Sequence, residues 1–458
     1  MRVLLVNPSS AINLYRQFGG NLPPLGLAYL ASVLREDAHQ VEIADLEVEP
    51  GRKVDFSRYD LVGIASLTPQ YSRALELARL AKKEGIHVVM GGYHVSFQDQ
   101  EALSTGVVDY VVRGEGEHVF RELVNCLELG RKVDDVPGIS FMKDGHLFRN
   151  PQAPYISDLD RLPLPARDLL PMDKYVTMLD EHRATSMVTS RGCPFNCTFC
   201  VSSKMGGLKW RTRTIDSIIN EIKDIKDRYG YRGFLFMDDN FTLNPKRVIQ
   251  FAEQLIKRRL NIFWWCFSRV DTIVKNEYMV KKMAEAGART VFLGVESANQ
   301  ETLDEYHKKI TLRQLYRAWE ILRDYKLKIW GSFIIGGVHE TKKMIDQTIQ
   351  LARKLNPDTA QFSILTPYPG TQLFKSVKDR IVVHNWDLYD GIHAVMRTKH
   401  LSPAEIQKSI VKAYSKFYLR FCRWPRVFSY IKERKLKLSN VLKGIASIWR
   451  VERSSLGE

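Results

Sequence analysis

Cysteine is scarce in this sequence: six in 458 residues, with three of the six crowded into the eight positions 193–200. Such usage excludes a disulfide scaffold and points to metal ligation by thiols in a reducing compartment. Long apolar runs are absent as well. None approaches the roughly 20 residues that span a bilayer, and residues 1–10 hold too short an apolar stretch for a secretion signal, so a cytoplasmic chain is expected. Acidic side chains are short in number, 52 against 68 basic ones, and the deficit is concentrated in residues 401–458, which hold 13 basic and 4 acidic groups. What remains is ordinary globular composition, 45% hydrophobic and 26% charged, which excludes a mainly disordered or fibrous chain. At roughly 150 residues per domain the length implies about three units.

The basic tail interleaves rings with cations: Phe417, Tyr418, Arg420, Phe421, Arg423, Trp424, Arg426, Phe428, Tyr430 and Lys432. This pattern suits an interfacial helix at anionic lipid or a nucleic-acid contact. It equally suits a helical cap whose aromatic side chains pack inward.

Strand-like and helix-like runs alternate from the start. Residues 2–7, 40–44, 61–66, 87–90 and 110–113 read as strands, with helices over 23–34 and 70–83. This order predicts a parallel, doubly wound domain over 1–150, binding ligands beyond its strand C-termini. A Pro-rich stretch, 151–183, reads as an extended linker. Six further strand-like runs (185–190, 233–237, 262–267, 290–295, 329–335 and 361–365) then predict six βα units in a curved parallel barrel over 184–380, with its reactive residues at the strand C-terminal ends. Residues 381–458 read as a basic helical extension. The expected fold class is therefore α/β: a Rossmann-like domain, a partial (β/α)6 barrel of TIM type and a helical C-terminal region.

Directly after the first strand of the second unit, Arg191-Gly192-Cys193-Pro194-Phe195-Asn196-Cys197-Thr198-Phe199-Cys200 places three thiols as C-x-x-x-C-x-x-C in one loop. A structural zinc or a closed four-iron cluster takes four protein ligands, so three thiolates leave one metal valence open. The rival is a zinc site completed by a distant His or by Cys266. Cys126, Cys266 and Cys422 stand alone and read as small buried hydrophobes.

This loop resembles the signature of the radical S-adenosylmethionine (SAM) superfamily, in which three thiolates hold a [4Fe-4S] cluster and SAM chelates the fourth iron. The later segments follow in the family's order. Asp238-Asp239-Asn240 falls where the family meets the SAM amino group, Glu296-Ser297 resembles its ribose-contacting strand, and Gly336-Gly337 its glycine-bearing fifth strand. Glycines there let the backbone approach the adenosine closely. His339 departs from the family pattern, in which relatives more often carry a small residue after the glycines. Arg269 and Asp271 resemble an Arg-Val-Asp segment of one branch, where they would face substrate or SAM; a buried ion pair is the rival reading.

No G-x-G-x-x-G follows the first strand, which disfavours a dinucleotide in the first domain. Ser66, Thr68 and the Gly91-Gly92 doublet are instead similar to the cobalamin-binding fold, where a Ser-bearing loop and a Gly-Gly turn line the slot for the nucleotide tail. His94 and the Arg113-Gly114-Glu115-Gly116-Glu117 segment also look like the cobalamin-binding radical SAM branch. The D-x-H-x-x-G fingerprint is absent, so no histidine ligand to cobalt is expected there. The rival is a scaffold domain that has lost cobalamin.

The resemblance implies a [4Fe-4S] cluster, SAM and cobalamin as cofactors. It further implies a 5'-deoxyadenosyl radical that takes hydrogen from an unactivated carbon of a hydrophobic or natural-product-like substrate, with methylcobalamin supplying the methyl group. Ring formation, as in tetrapyrrole cyclisation, is the alternative chemistry. An RNA methylthiotransferase needs three further cysteines in the first domain, and a cluster sensor has no need of SAM-like segments. Expected partners are a small-molecule or lipid-like substrate, an external electron donor such as flavodoxin or ferredoxin, and a membrane surface met through 401–458, but not nucleic acid.

Overall fold

The computed structural model describes residues 1–10 and 20–420. Its first sheet runs β2-β1-β3-β4-β5-β6-β7, with β1 Arg2–Asn7, β2 Gln40–Asp45, β3 Leu61–Ala65, β4 His87–Gly91, β5 Tyr110–Val112, β6 Ile139–Lys143 and β7 His146–Arg149. β1 to β5 are parallel, as expected from the alternation, and both faces are covered. Leu4, Val6, Val62 and Val88 pack on the helix Tyr71–Lys83, while Val3 and Leu5 pack on the helices Leu25–Glu36 and Glu117–Glu128. The sequence reading missed β6 and β7, an antiparallel hairpin that makes the sheet mixed. Its turn is Asp144-Gly145, both at positive φ, the geometry of a tight hairpin.

The second sheet, β16-β15-β14-β13-β12-β9-β8, is an open half-barrel. Its six parallel strands fall on the six expected runs, the first lying three residues earlier than expected: β9 His182–Met187, β12 Gly233–Phe236, β13 Phe263–Ser268, β14 Ala288–Glu296, β15 Lys328–Ile335 and β16 Thr359–Ile364. An antiparallel edge strand, β8 Met178–Leu179, precedes them, and a small clasp of β10 Ser190–Arg191 with β11 Arg211–Thr212 stands beside the sheet.

The Pro-rich segment is no mere spacer. Leu159, Leu162, Leu170, Met172 and Tyr175 are buried in it, and the Tyr175 hydroxyl donates to Asp45 Oδ2 at 2.7 Å. Arg167 in this segment pairs with Glu221 of the barrel helix Ile215–Tyr229 at 3.0 Å, both side chains nearly inaccessible.

The open edge at β16 is closed by side chains. Tyr418 and Tyr414 on the helix Pro403–Tyr418 each satisfy one residue's backbone, Ala360 and Phe362 respectively, the hydroxyl both accepting from the N–H and donating to the carbonyl at 2.8–3.2 Å. These hydroxyls do the work of a neighbouring strand. Phe417 is fully buried behind them. Up to residue 420 the tail aromatics thus serve a helical cap rather than a membrane face, and the rest of the interleaved pattern, Phe421 to Lys432, lies outside the described residues. No helix among the described residues is long and apolar enough to cross a membrane.

Candidate active site

The cysteine loop grows from the β10–β11 clasp at the C-terminal end of β9. Gly192 sits at φ +84°, and a Cβ there would lie 2.9 Å from the Gly206 carbonyl oxygen and 3.1 Å from that of Gly207, so glycine is required at the corner before Cys193. The Cys193 N–H donates to the Gly207 carbonyl at 3.1 Å, and the Thr198 N–H to the Tyr306 carbonyl at 3.3 Å. The Phe199 ring meets Tyr306 edge-on at 5.2 Å, and the Arg269 guanidinium lies 3.6 Å from the centre of the Phe195 ring.

Burial, reinforced by mutual repulsion of the thiolates, pushes the Cys193 thiol up to about 11 and raises Cys200, so these groups surrender protons to a metal rather than to water. No three His, Cys, Asp or Glu side chains among the described residues are close enough to share a single ion. Cys266 is buried on the helix side of β13 and Cys126 lies in the first domain, so neither joins the trio; Cys422 lies outside the described residues. Three loop thiols without a fourth described cysteine beside them fit a cubane with one iron left for a chelating small molecule.

The neighbouring segments divide. Asp238 is spent on the scaffold: its carboxylate accepts from the Thr189 N–H at 2.6 Å and from the Thr189 and Ser190 hydroxyls at 2.5 Å, tying β12 to the clasp. Asp239 instead is exposed at the strand ends, beside Cys193 and Cys200. Partial desolvation by the surrounding loop raises its carboxyl. Asn240 is buried, and its Nδ2 has no partner.

Glu296 takes a left-handed φ of +64° at a bulge in β14 and is paired with Lys308. Ser297 is buried and donates to Glu340 at 3.4 Å. Gly336 has φ +82°, and a Cβ on Gly337 would meet the Tyr306 hydroxyl at 2.9 Å. His339 is exposed, so its departure from the family leaves the glycine turn untouched. Arg269 donates to Asp271 at 3.0 Å and to the Lys308 carbonyl at 2.7 Å, which makes this pair a prop beneath Phe195.

In the first domain, Ser66, Thr68, Gly91, Gly92 and His94 converge at the C-terminal ends of β3 and β4. Gly92 has φ +113°, and a Cβ there would lie 2.8 Å from the Ser66 carbonyl oxygen. His94 is fully buried between Tyr71 and Trp386, ring centres 4.2 and 4.9 Å away, and neither ring nitrogen has a partner. Burial holds it neutral, lowering its pKa to about 3. The Ser66 and Tyr71 hydroxyls are likewise buried without partners. Several orphaned polar atoms together fit a slot built for a polar group, such as a nucleotide tail.

Glu115 differs from its expected role as a cofactor contact. Its carboxylate accepts from Arg191 at 3.2 Å, Arg211 at 2.7 Å and the Ile156 N–H at 2.8 Å, while Glu117 accepts from Arg191 at 2.6 Å. Gly114, at φ +81°, makes the turn that delivers them and donates its N–H to Ser96 Oγ at 3.1 Å. The segment is a buried tie from the first domain to the residue two before Cys193. Sequence reasoning also missed Tyr93, whose hydroxyl is raised by burial and, less, by Asp239 and Cys200 across the domain boundary, and Tyr306, Lys308, Glu340 and Trp386. The Gly91-Gly92 doublet was the one signal that could have drawn attention to Tyr93.

Comparison with known proteins agrees with this geometry. A family model described as the radical SAM superfamily matches residues 187–352, and one described as the B12 binding domain matches 14–124. The uncharacterized methyltransferase PH0819 of Pyrococcus horikoshii is 40% identical, over 92% of this chain and 93% of its own. The anaerobic magnesium-protoporphyrin IX monomethyl ester cyclase of Rubrivivax gelatinosus is 31% identical, over 97% of this chain and 82% of its own. In fold, the radical SAM methyltransferase TsrM from Kitasatospora setae, at 16% identity, superposes over 100% of both chains with a TM-score of 0.73. The chain therefore belongs to the radical SAM superfamily, in the branch that joins a B12-binding domain to the radical SAM barrel and includes methyltransferases and cyclases.

Proposed function

We propose that the protein is a cobalamin-dependent radical SAM C-methyltransferase that acts on an unactivated carbon of an apolar small molecule. When bound, the cluster and SAM supply a hydrogen-abstracting radical, and cobalamin supplies the methyl group. The carrying observation is the meeting of the two strand-end regions at one boundary: Glu115 and Glu117 grip Arg191, and Tyr93 beside the Gly-Gly turn feels Cys200 and Asp239.

In this reading Cys193, Cys197 and Cys200 hold the cluster. Asp239, Asn240, Glu296, Ser297, Gly336 and Gly337 form the SAM cradle, with Asp239 rather than Asp238 offering the free acceptor. Ser66, Thr68, Gly91, Gly92 and His94 line the cobalamin tail slot. The chain's own contribution is positioning: it holds the reacting centres in register and keeps water from them.

Anaerobic reconstitution with an external donor such as flavodoxin tests the reading. Formation of 5'-deoxyadenosine with transfer of a labelled methyl group to a carbon acceptor supports it. SAM cleavage that yields only a product short of hydrogen, in the manner named for the cyclase relative, favours ring formation instead. Absence of SAM cleavage by protein that carries the cluster overturns both.

A further inference from the structure

Alternation along the barrel strands sends two sets of side chains to opposite faces. Trp264, Cys266, Val291, Leu293, Ile329 and Phe333 join the core under the helices. The other set, Leu235, Phe263, Trp265, Phe267, Phe292 and Trp330, forms a separate cluster on the concave face with Leu179 and Ala184. Its rings meet as a herringbone: Trp265–Phe267 at 4.5 Å, Phe267–Phe292 at 4.8 Å and Trp265–Trp330 at 6.0 Å, all edge to face. Five of those six residues are only partly buried although they face the inside of the sheet, whereas a closed barrel fills that space with its own side chains.

The floor of the half-barrel is shut by the β8–β9 turn. Asp180 there accepts from Lys328 at 3.0 Å and pairs with Arg289 at 2.9 Å, so one carboxylate ties the turn to two neighbouring strands at this end. At the other end stand the cysteine loop and Asp239. Within the wall, Trp265 is 5% exposed and its indole N–H has no acceptor, in contrast to its neighbour Trp264, which donates to the Ala286 carbonyl at 3.0 Å.

We infer that this aromatic wall is the substrate's seat and that the substrate is a flat, mainly apolar ring system carrying a hydrogen-bond acceptor for the Trp265 indole. The inference rests on the proposed function, which places the reacting carbon beneath the cysteine loop. Edge-to-face rings present faces and edges to a planar guest, and an unmatched buried donor selects a carbonyl or ring oxygen.

Equilibrium dialysis of the cluster- and cobalamin-loaded protein tests this with three probes: 9-anthracenecarboxamide, anthracene and cytidine monophosphate. The amide is expected to bind saturably and the nucleotide not to compete. Trp265→Phe keeps the ring and loses the donor, so it weakens the amide about tenfold while sparing anthracene. Phe292→Ala weakens both aromatic probes, and Phe267→Leu, a milder change, does so to a lesser degree should the alanine variant fail to fold. Amide binding unmoved by Trp265→Phe and Phe267→Leu, equal loss of both probes in Trp265→Phe, or competition by the nucleotide overturns the inference. Wild-type protein that binds the amide but never cleaves SAM supports the seat and overturns only the assigned chemistry.

Discussion

Replacing Glu115 by alanine removes the carboxylate that two arginines share across the domain boundary. Arg211, with 4% of its side chain exposed, keeps the carbonyls of Ile156 and Gly206 but loses its one anionic partner, whereas Arg191 retains Glu117 at 2.6 Å. A buried cation left without its anion costs about 3–5 kcal/mol. Glu117→Ala leaves Arg191 with Glu115 at 3.2 Å, and its cost is that of a lost charged hydrogen bond, about 1.5–3 kcal/mol. The double variant Glu115→Met, Arg211→Met removes both charges and is expected to recover most of the loss. Urea unfolding of the four proteins measures the order: wild type and double variant close together, Glu117→Ala lower, Glu115→Ala lowest. Glu115→Ala within about 0.5 kcal/mol of wild type, the range of a surface change, would refute the buried tie. So would a double variant no more stable than Glu115→Ala.

Each of Cys193→Ala, Cys197→Ala and Cys200→Ala is expected to abolish cluster binding, while Cys266→Ala keeps it; iron content and the visible cluster spectrum after anaerobic reconstitution decide, and loss of iron in Cys266→Ala contradicts the three-ligand site. Gly92→Ala forces a Cβ to 2.8 Å from the Ser66 carbonyl oxygen at φ +113°, a strain of about 1–3 kcal/mol at the tail slot, and cobalamin retained after desalting should fall sharply. Glu340 is buried, which raises its carboxyl from 4.5 to about 7. The folded state therefore holds a proton that the unfolded chain releases, and the associated stability is present below about pH 4.5 and lost as pH rises through 7, on the order of 3 kcal/mol. Glu340→Gln should flatten that slope in unfolding measured from pH 5 to 8; an unchanged slope assigns it elsewhere.

The parallel strands of both sheets were legible because buried strands are short apolar runs between turn residues, and the cysteine loop because its spacing carries the chemistry. Edge elements were harder. The β6–β7 hairpin had a signal in Asp144-Gly145, but the β8–β9 turn uses Asp180-Glu181, both at positive φ without a glycine, and nothing in those residue types announces it. Asp238 and Asp239 are adjacent and chemically identical, yet the turn that follows β12 sends one to the clasp and the other to the mouth. Residue type gave the pair, and only the course of that turn decides which member is available. The aromatic tail illustrates the same limit, since Tyr414 and Tyr418 acquire their meaning from an open sheet edge that no local pattern announces.

The Arg-Gly-Glu-Gly-Glu segment carries the sharper lesson about motifs. Its glycines suggest a ligand's close approach, but Gly114 spends its left-handed turn on delivering two carboxylates to Arg191 and Arg211, both of which lie within 20 residues of Cys193 in sequence. The position of the cysteine loop is therefore set by the first domain as well as by the barrel. A barrel expressed without residues 1–150 would leave Arg191 and Arg211 facing no carboxylate in a region that is buried in the whole chain. Coupling the two cofactor regions through charge at their boundary means that neither can shift without the other, which suits a reaction in which groups supplied by both domains must meet on one carbon.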